Sequence, residues 1–219
     1  MAHKNQQREF AVIGLGRFGS SLARRLEEFG HSVLGIDSDP QRTKEIADEI
    51  TETAIIDATN PNALQEVDIT AFSTVIVAIE ADFEASALIT LSLKDLGVPQ
   101  VICRSASRRH RDILLRIGAD RVIMPTEEAG LQLADELSTP GMLDRMSLSP
   151  EYSLIEMRAP AGLVSRRVEL SEKYAVQLLL IIRGDELIIS PESGLQIAEG
   201  DILVLVGDKN RLAEFSSIR

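Results

Sequence analysis

The sequence predicts an α/β protein, a doubly wound parallel sheet followed by a small α+β module. Three observations predict it. Six short apolar segments recur through the first 125 residues, with helix-like stretches between them. Those segments read as near-continuous Val/Ile runs, the pattern of strands buried on both faces of a parallel sheet. From Tyr152 onward the texture changes to longer apolar runs broken by turn residues, which suits hairpins.

The candidate strands are FAVIGL (10–15), SVLGID (32–37), TAIID (53–57), STVIVAI (73–79), QVICR (100–104) and RVIMP (121–125). After the first, SSLARRLEEFG places Leu22, Leu26 and Phe29 at helical spacing and stops at Gly30. ADFEASALITLSLKDLG does the same with Phe83, Ala87, Leu91 and Leu93 before Gly97. Strand, helix and strand in alternation call for right-handed crossovers and hence a doubly wound sheet. TEEAGLQLADELSTPG reads as an outgoing helix, ended by Pro140 and Gly141. Beyond it lie SLIEMRA, YAVQLLLIIRGDELIIS and DILVLVGD, with Gly184–Asp185 marking a tight hairpin and KNRLAEFSSI a terminal helix. The expected plan is a polar tail (1–9), a nucleotide-type domain with its outgoing helix (10–141) and a second module (142–219).

Composition narrows the function classes. The chain has 219 residues, 44% of them hydrophobic, enough for a substantial core. Its longest apolar runs, such as VQLLLII (176–182), fall far short of the roughly 18–20 residues of a membrane helix. The N-terminal MAHKNQQRE is polar, and the single cysteine, Cys103, has no partner for an internal disulfide. A reducing cytoplasm is the expected setting. A net charge of −11 disfavours nucleic acid and anionic lipid, so any membrane association is expected to run through a protein partner.

The chemistry concentrates in the first crossover. Gly14, Gly16 and Gly19 form GxGxxG after a strand and at the mouth of a helix, where glycines let backbone N–H groups approach a pyrophosphate. Asp37 ends the next strand 18 residues beyond Gly19, where a ribose-binding acid belongs, and it disfavours a 2′-phosphate. Arg17 lies inside the turn and can pair with a phosphate of its own ligand or of a neighbour's; the alternative is a solvated arginine. Ligands lie beyond the carboxyl ends of the strands, which nominates Asp57 and Ala58, Ile79 and Glu80, and Arg104 and Ser105. Asp57 could equally cap the next helix.

A reaction centre is not expected. His3, His31 and His110 sit in no acid–base motif, and Cys103 falls inside a strand expected to be buried and inert. No Cys/His set has metal-ligand spacing. Arg104, Arg108, Arg109 and Arg111 read either as a basic run facing phosphates or as a solvated helix edge, and Glu127 with Glu128 as charge complementing a helix N-terminus. A small NAD-dependent oxidoreductase and a free-standing NADH sensor stay open as alternatives.

FAVIGLGRFGSSLA, GHSVLGID, VIVAI, RIGADRVIMP and SGLQIAEGDILVLVGD together resemble the RCK-domain proteins (regulators of potassium conductance), in particular the KtrA/TrkA-type cytoplasmic subunits of bacterial potassium uptake systems. The resemblance runs from about Phe10 to Phe215. It implies a gating subunit: dimers assembling into an octameric ring beneath a membrane potassium-translocating partner, with ATP or ADP (KtrA-like) or NAD(H) (TrkA-like) reshaping the ring. GRFG, with Arg17 and Phe18 in the cofactor-binding turn, favours the KtrA side. The resemblance makes Arg17 a phosphate contact and gives Asp37 the ribose. It places Asp57, Ala58, Ile79, Glu80 and Arg104 around the adenosine. Similar proteins often carry a Glu linked to a divalent cation directly after the proline ending the sixth strand; here Thr126 follows Pro125, with Glu127 adjacent. The second module resembles the RCK C-terminal domain, which in some relatives binds cyclic di-AMP, with contacts mapping near Val168, Leu178 and Pro191. ELSEKYA is short for that role, and Ala175 stands where a glycine is common.

Overall fold

The computed structural model describes residues 8–139, 141–164, 174–192 and 194–218. It divides into two compact units, Met1–Glu127 and Glu128–Arg219. The boundary falls within the first turn of the outgoing helix, earlier than the 141/142 boundary drawn from sequence.

The first unit contains β1 (Glu9–Ile13), α1 (Arg17–Glu28), β2 (Ser32–Asp37), α2 (Pro40–Ile46), β3 (Glu52–Ile55), α3 (Pro61–Glu66), β4 (Thr74–Val77), α4 (Phe83–Asp95), β5 (Gln100–Arg104), α5 (Arg108–Arg116) and β6 (Arg121–Ile123). Its six strands are all parallel, in the order β3-β2-β1-β4-β5-β6. The order reverses between β1 and β4, so a crevice opens at their carboxyl ends. Both faces of the sheet are buried, as the apolar runs required. Ala11 and Ile13 of β1 pack with Ile36, Val77, Ile89 and Leu93 on one side, while Val12 packs with Val33, Ala23 and Ile46 on the other. Two short helices escape the periodicity but not local chemistry. α2 is capped by Asp39, which accepts from the Gln41 N–H, and α3 by Asn60, which accepts from the Asn62 N–H. Each has proline at its first position. β6 is shorter than the apolar run suggested because Pro125 already begins α6 (Pro125–Ser138).

The second unit is an antiparallel sheet of β7 (Met142–Ser147), β8 (Tyr152–Arg158), β9 (Val176–Arg183), β10 (Glu186–Ile189) and β11 (Ile202–Asp208), in the order β10-β9-β11-β8-β7. It is closed by α7 (Lys209–Ser216). Gly184, at φ +60°, and Asp185 make the β9–β10 turn. Every second residue of β8 is buried, and Ile155, Met157, Leu178, Ile181, Leu203 and Leu205 pack against Leu212 and Phe215 of α7. β7 was not expected. It is an edge strand whose only buried residue is Met142, so it carries no alternating apolar signal. Just before β11, Asp201 is almost wholly buried, accepting from the Ala198 N–H at 2.8 Å and from Arg183 at 2.8 and 2.7 Å, which ties the turn before β11 to β9.

Candidate functional site: a cleft at the strand crossover

A cleft of about 650 Å³ opens at the carboxyl ends of β1, β2, β3 and β4. Gly14 leaves β1 with φ +96°, a conformation that disfavours any side chain, and its N–H donates to the Ile36 carbonyl at 2.7 Å. Gly19, in the first turn of α1, lies against that loop so closely that a Cβ would stand 1.9 Å from the Gly14 carbonyl oxygen. Gly16 differs from both. It is the N-cap of α1, no side chain caps the helix there, and a Cβ at Gly16 would meet nothing within 4 Å. The first-turn N–H groups of a twelve-residue helix therefore border open space. This geometry fits the diphosphate of a nucleotide.

Asp37 holds the loop in place. Its carboxylate is buried and accepts from the Leu15 N–H at 2.7 Å and from the Asp39 N–H at 2.9 Å. A carboxylate has further lone pairs, so these bonds leave it able to accept ribose hydroxyls. Asp57 lines the same cleft without capping α3, since Asn60 has that role. Instead it accepts from the Thr59 hydroxyl at 2.7 Å and the Thr59 N–H at 3.0 Å, and these two bonds, the hydroxyl foremost, hold its carboxyl below the usual range. Ala58, Ile79, Glu80 and Arg104 also line the cleft. Arg104 approaches Glu80 at 2.5 Å and lies 5.2 Å above the Phe18 ring.

Four sequence candidates do not line the cleft. Arg17 is exposed on the first turn of α1. Phe18 turns its ring to the sheet core and to Arg104, so its contribution is to seat that arginine. Gly19 acts through packing alone. Ser105 is buried and donates to the Ser107 carbonyl at 2.9 Å. In the second unit Val168 lies outside the described residues, and Pro191 is half-buried. Leu178 is buried in the core cluster that includes Leu212 and Phe215 of α7.

The cleft also contains residues that sequence reasoning missed. Arg42 reaches it from α2, 3.5 Å from Asp37 and 3.6 Å from Asp39. Asp82 lies on its rim and caps α4 through the Ala85 N–H. None of the lining residues is histidine or cysteine. His110 stacks on Phe83 with ring centroids 4.0 Å apart, and Cys103 is buried beside Thr90, burial pushing its thiol up. Among the described residues no group of three or more His, Cys, Asp or Glu is arranged to hold a metal. Glu127, next to Thr126, pairs with Arg108 at 2.5 Å.

Residues 10–125 match the TrkA-N domain and residues 163–218 the TrkA-C domain. The chain is 37% identical to the Ktr system potassium uptake protein A of Bacillus subtilis, over 98% of this chain and 97% of that protein. It is 34% identical to the Ktr system potassium uptake protein C of the same organism, over 95% and 96%. Among solved structures it matches the GsuK channel bound to NAD with a TM-score of 0.69 at 14% identity, over 99% of this chain and 40% of that one. The fold is thus shared with less than half of that channel. With both domains matched and near-complete alignment to Ktr proteins, the chain belongs to the family of KtrA/TrkA-like RCK subunits of bacterial potassium uptake systems.

Proposed function

We propose that this chain is a cytoplasmic, nucleotide-sensing gating subunit that regulates a membrane potassium-translocating partner, with ATP or ADP as the ligand. Its output is occupancy of the cleft rather than turnover. The observation that carries the reading is the open space at Gly16, bordered by uncapped helix N–H groups and by Asp37. Membership of the Ktr family supports the potassium system as the target. No helix among the described residues is long and apolar enough to cross a membrane, so a separate membrane partner suits the reading.

Self-association into a dimer and then an octameric ring belongs to the same proposal. α6 buries none of its residues, and Leu131, Leu133 and Leu137 are 59%, 54% and 80% exposed. Exposed leucines on one helix favour a protein surface as their cover. NAD(H) is the second reading, supported by the GsuK channel's NAD complex and by the Asp37 carboxylate at the end of β2 beside the glycine loop.

The test is a thermal-shift and calorimetric titration of the full chain with ATP, ADP, NAD and NADH, alongside its mass in solution. Stabilisation by one class of adenine ligand, scaling with its occupancy, is the expected result. A chain indifferent to all four, or one that oxidises NADH with a carbonyl compound, refutes the proposal.

A further inference from the structure

Glu80 is an odd residue for a cleft that takes phosphates. It follows β4, whose end is bonded to β1 through the Ala78 N–H and Ile13 carbonyl at 2.7 Å. The adjacent Ile79 lies against Gly14, where a Cβ would come within 3.0 Å of its side chain. A carboxylate is thus placed beside the glycine loop. Opposite it stands Arg104, from the end of the neighbouring strand β5. The two meet at 2.5 Å, with side chains only 28% and 18% exposed. Arg104 is further fixed by the Phe18 ring beneath it, and its Nε is buried without a hydrogen-bond partner. The guanidinium is therefore seated at the cleft wall with donor capacity unused, and its charge is matched by Glu80.

A terminal phosphate reaching this wall meets a neutralised guanidinium and a carboxylate of its own sign. To take the guanidinium it must leave Glu80 unpaired next to it. A ligand with a shorter phosphate chain makes no such demand. We propose that Glu80 sets the phosphate preference of the cleft by withholding Arg104 from the terminal phosphate of a triphosphate. The inference rests on the nucleotide reading above and adds to it a determinant of ATP against ADP within this chain's own cleft.

The test compares ATP and ADP binding by calorimetry for the full-length chain, its Glu80→Gln variant, and Glu80→Gln combined with Arg104→Met. Gln keeps the shape and removes the charge, so ATP affinity should rise about tenfold relative to ADP, the size of one modest charge coupling. The gain should vanish in the double variant. Ligand-free melting curves identify any variant that fails to fold, and Glu80→Ser then replaces Gln with the same expected direction. Equal change for both nucleotides, no change, or weaker binding of both overturns the role of Glu80; the last would make Glu80 a ribose acceptor instead. A wild-type chain that binds neither nucleotide overturns the nucleotide reading itself, a separate and distinguishable failure.

Discussion

Two glycines of the same motif should fail in opposite ways when a methyl group is added. At Gly19 the new Cβ would stand 1.9 Å from the Gly14 carbonyl oxygen, where real Cβ atoms keep at least 3.0 Å. The obstacle is backbone on both sides, so α1 must move about 1 Å away from the end of β1. Overpacking of this kind costs ~1–3 kcal/mol or more, against which alanine's better helix propensity returns only about 1 kcal/mol. Gly19→Ala should therefore lose roughly 2 kcal/mol in urea denaturation. At Gly16 the backbone is at φ −68° and ψ −177°, open to any residue, and the methyl would meet nothing. The weaker N-cap and the stiffer unfolded chain roughly cancel, so Gly16→Ala should unfold within about 0.5 kcal/mol of wild type. It should nevertheless lose nucleotide binding by at least tenfold in calorimetry, because the methyl occupies the volume a phosphate would take. A Gly16→Ala chain with wild-type affinity would refute the phosphate cradle. A Gly19→Ala chain with wild-type stability would refute the packing.

Three further outcomes are expected. Arg17→Ala should weaken ATP relative to ADP, measured by the same titration, because the lining itself disfavours a third phosphate and this exposed cation on the first turn of α1 is the proposed counter-charge; an unchanged ATP-to-ADP ratio would remove it from the site. Ala175 holds φ +55°, where a Cβ costs about 1 kcal/mol, so Ala175→Gly should raise the stability of the second unit by ~0.5–1 kcal/mol in thermal or urea melts. Arg183 first, then the Ala198 N–H, holds the Asp201 carboxyl below its usual range. A depressed native pKa stabilises above the unfolded value of about 4 and stops doing so as pH falls through the native one, so the second unit should lose stability below about pH 4. Asp201→Ala should cost ~2 kcal/mol at neutral pH, a figure discounted because the Arg183 side chain is 36% exposed, and should flatten that acid limb.

The cradle was legible because its residues are dictated by backbone geometry. Gly14 and Gly19 answer to a positive φ and a close approach, and Asp37 closes a strand whose apolar run is plain to read. Arg42 was not legible. It enters the cleft from α2 rather than from a strand end, and nothing in a single arginine tells which way a helix surface residue reaches. The Glu80–Arg104 pairing was hidden differently: both residues were nominated, but their contact depends on β4 and β5 being neighbours with Val77 opposite Cys103. Spacing along the chain cannot supply that register. The packing of Phe18 was not legible either: its ring is partly buried against the core under α1 and beneath Arg104, contacts that depend on tertiary neighbours rather than on the motif.

The walls of the cleft carry a consequence for how any anion is held there. Asp37, Asp57, Glu80 and Asp82 supply four carboxylates to its lining, and Arg42 and Arg104 only two guanidiniums, each already beside a carboxylate. The chain as a whole carries a charge of −11. Long-range attraction therefore does not draw a nucleotide in, and the field at the cleft opposes each added phosphate. What remains to stabilise a phosphate is short-range: the N–H groups at the head of α1, which the uncapped Gly16 leaves facing open space. Such contacts serve a diphosphate well and a third phosphate poorly. On the proposed nucleotide reading, a preference for ATP over ADP then has to come from a cation outside the lining, and the exposed Arg17 on the first turn of α1 is the candidate that the Arg17→Ala titration tests.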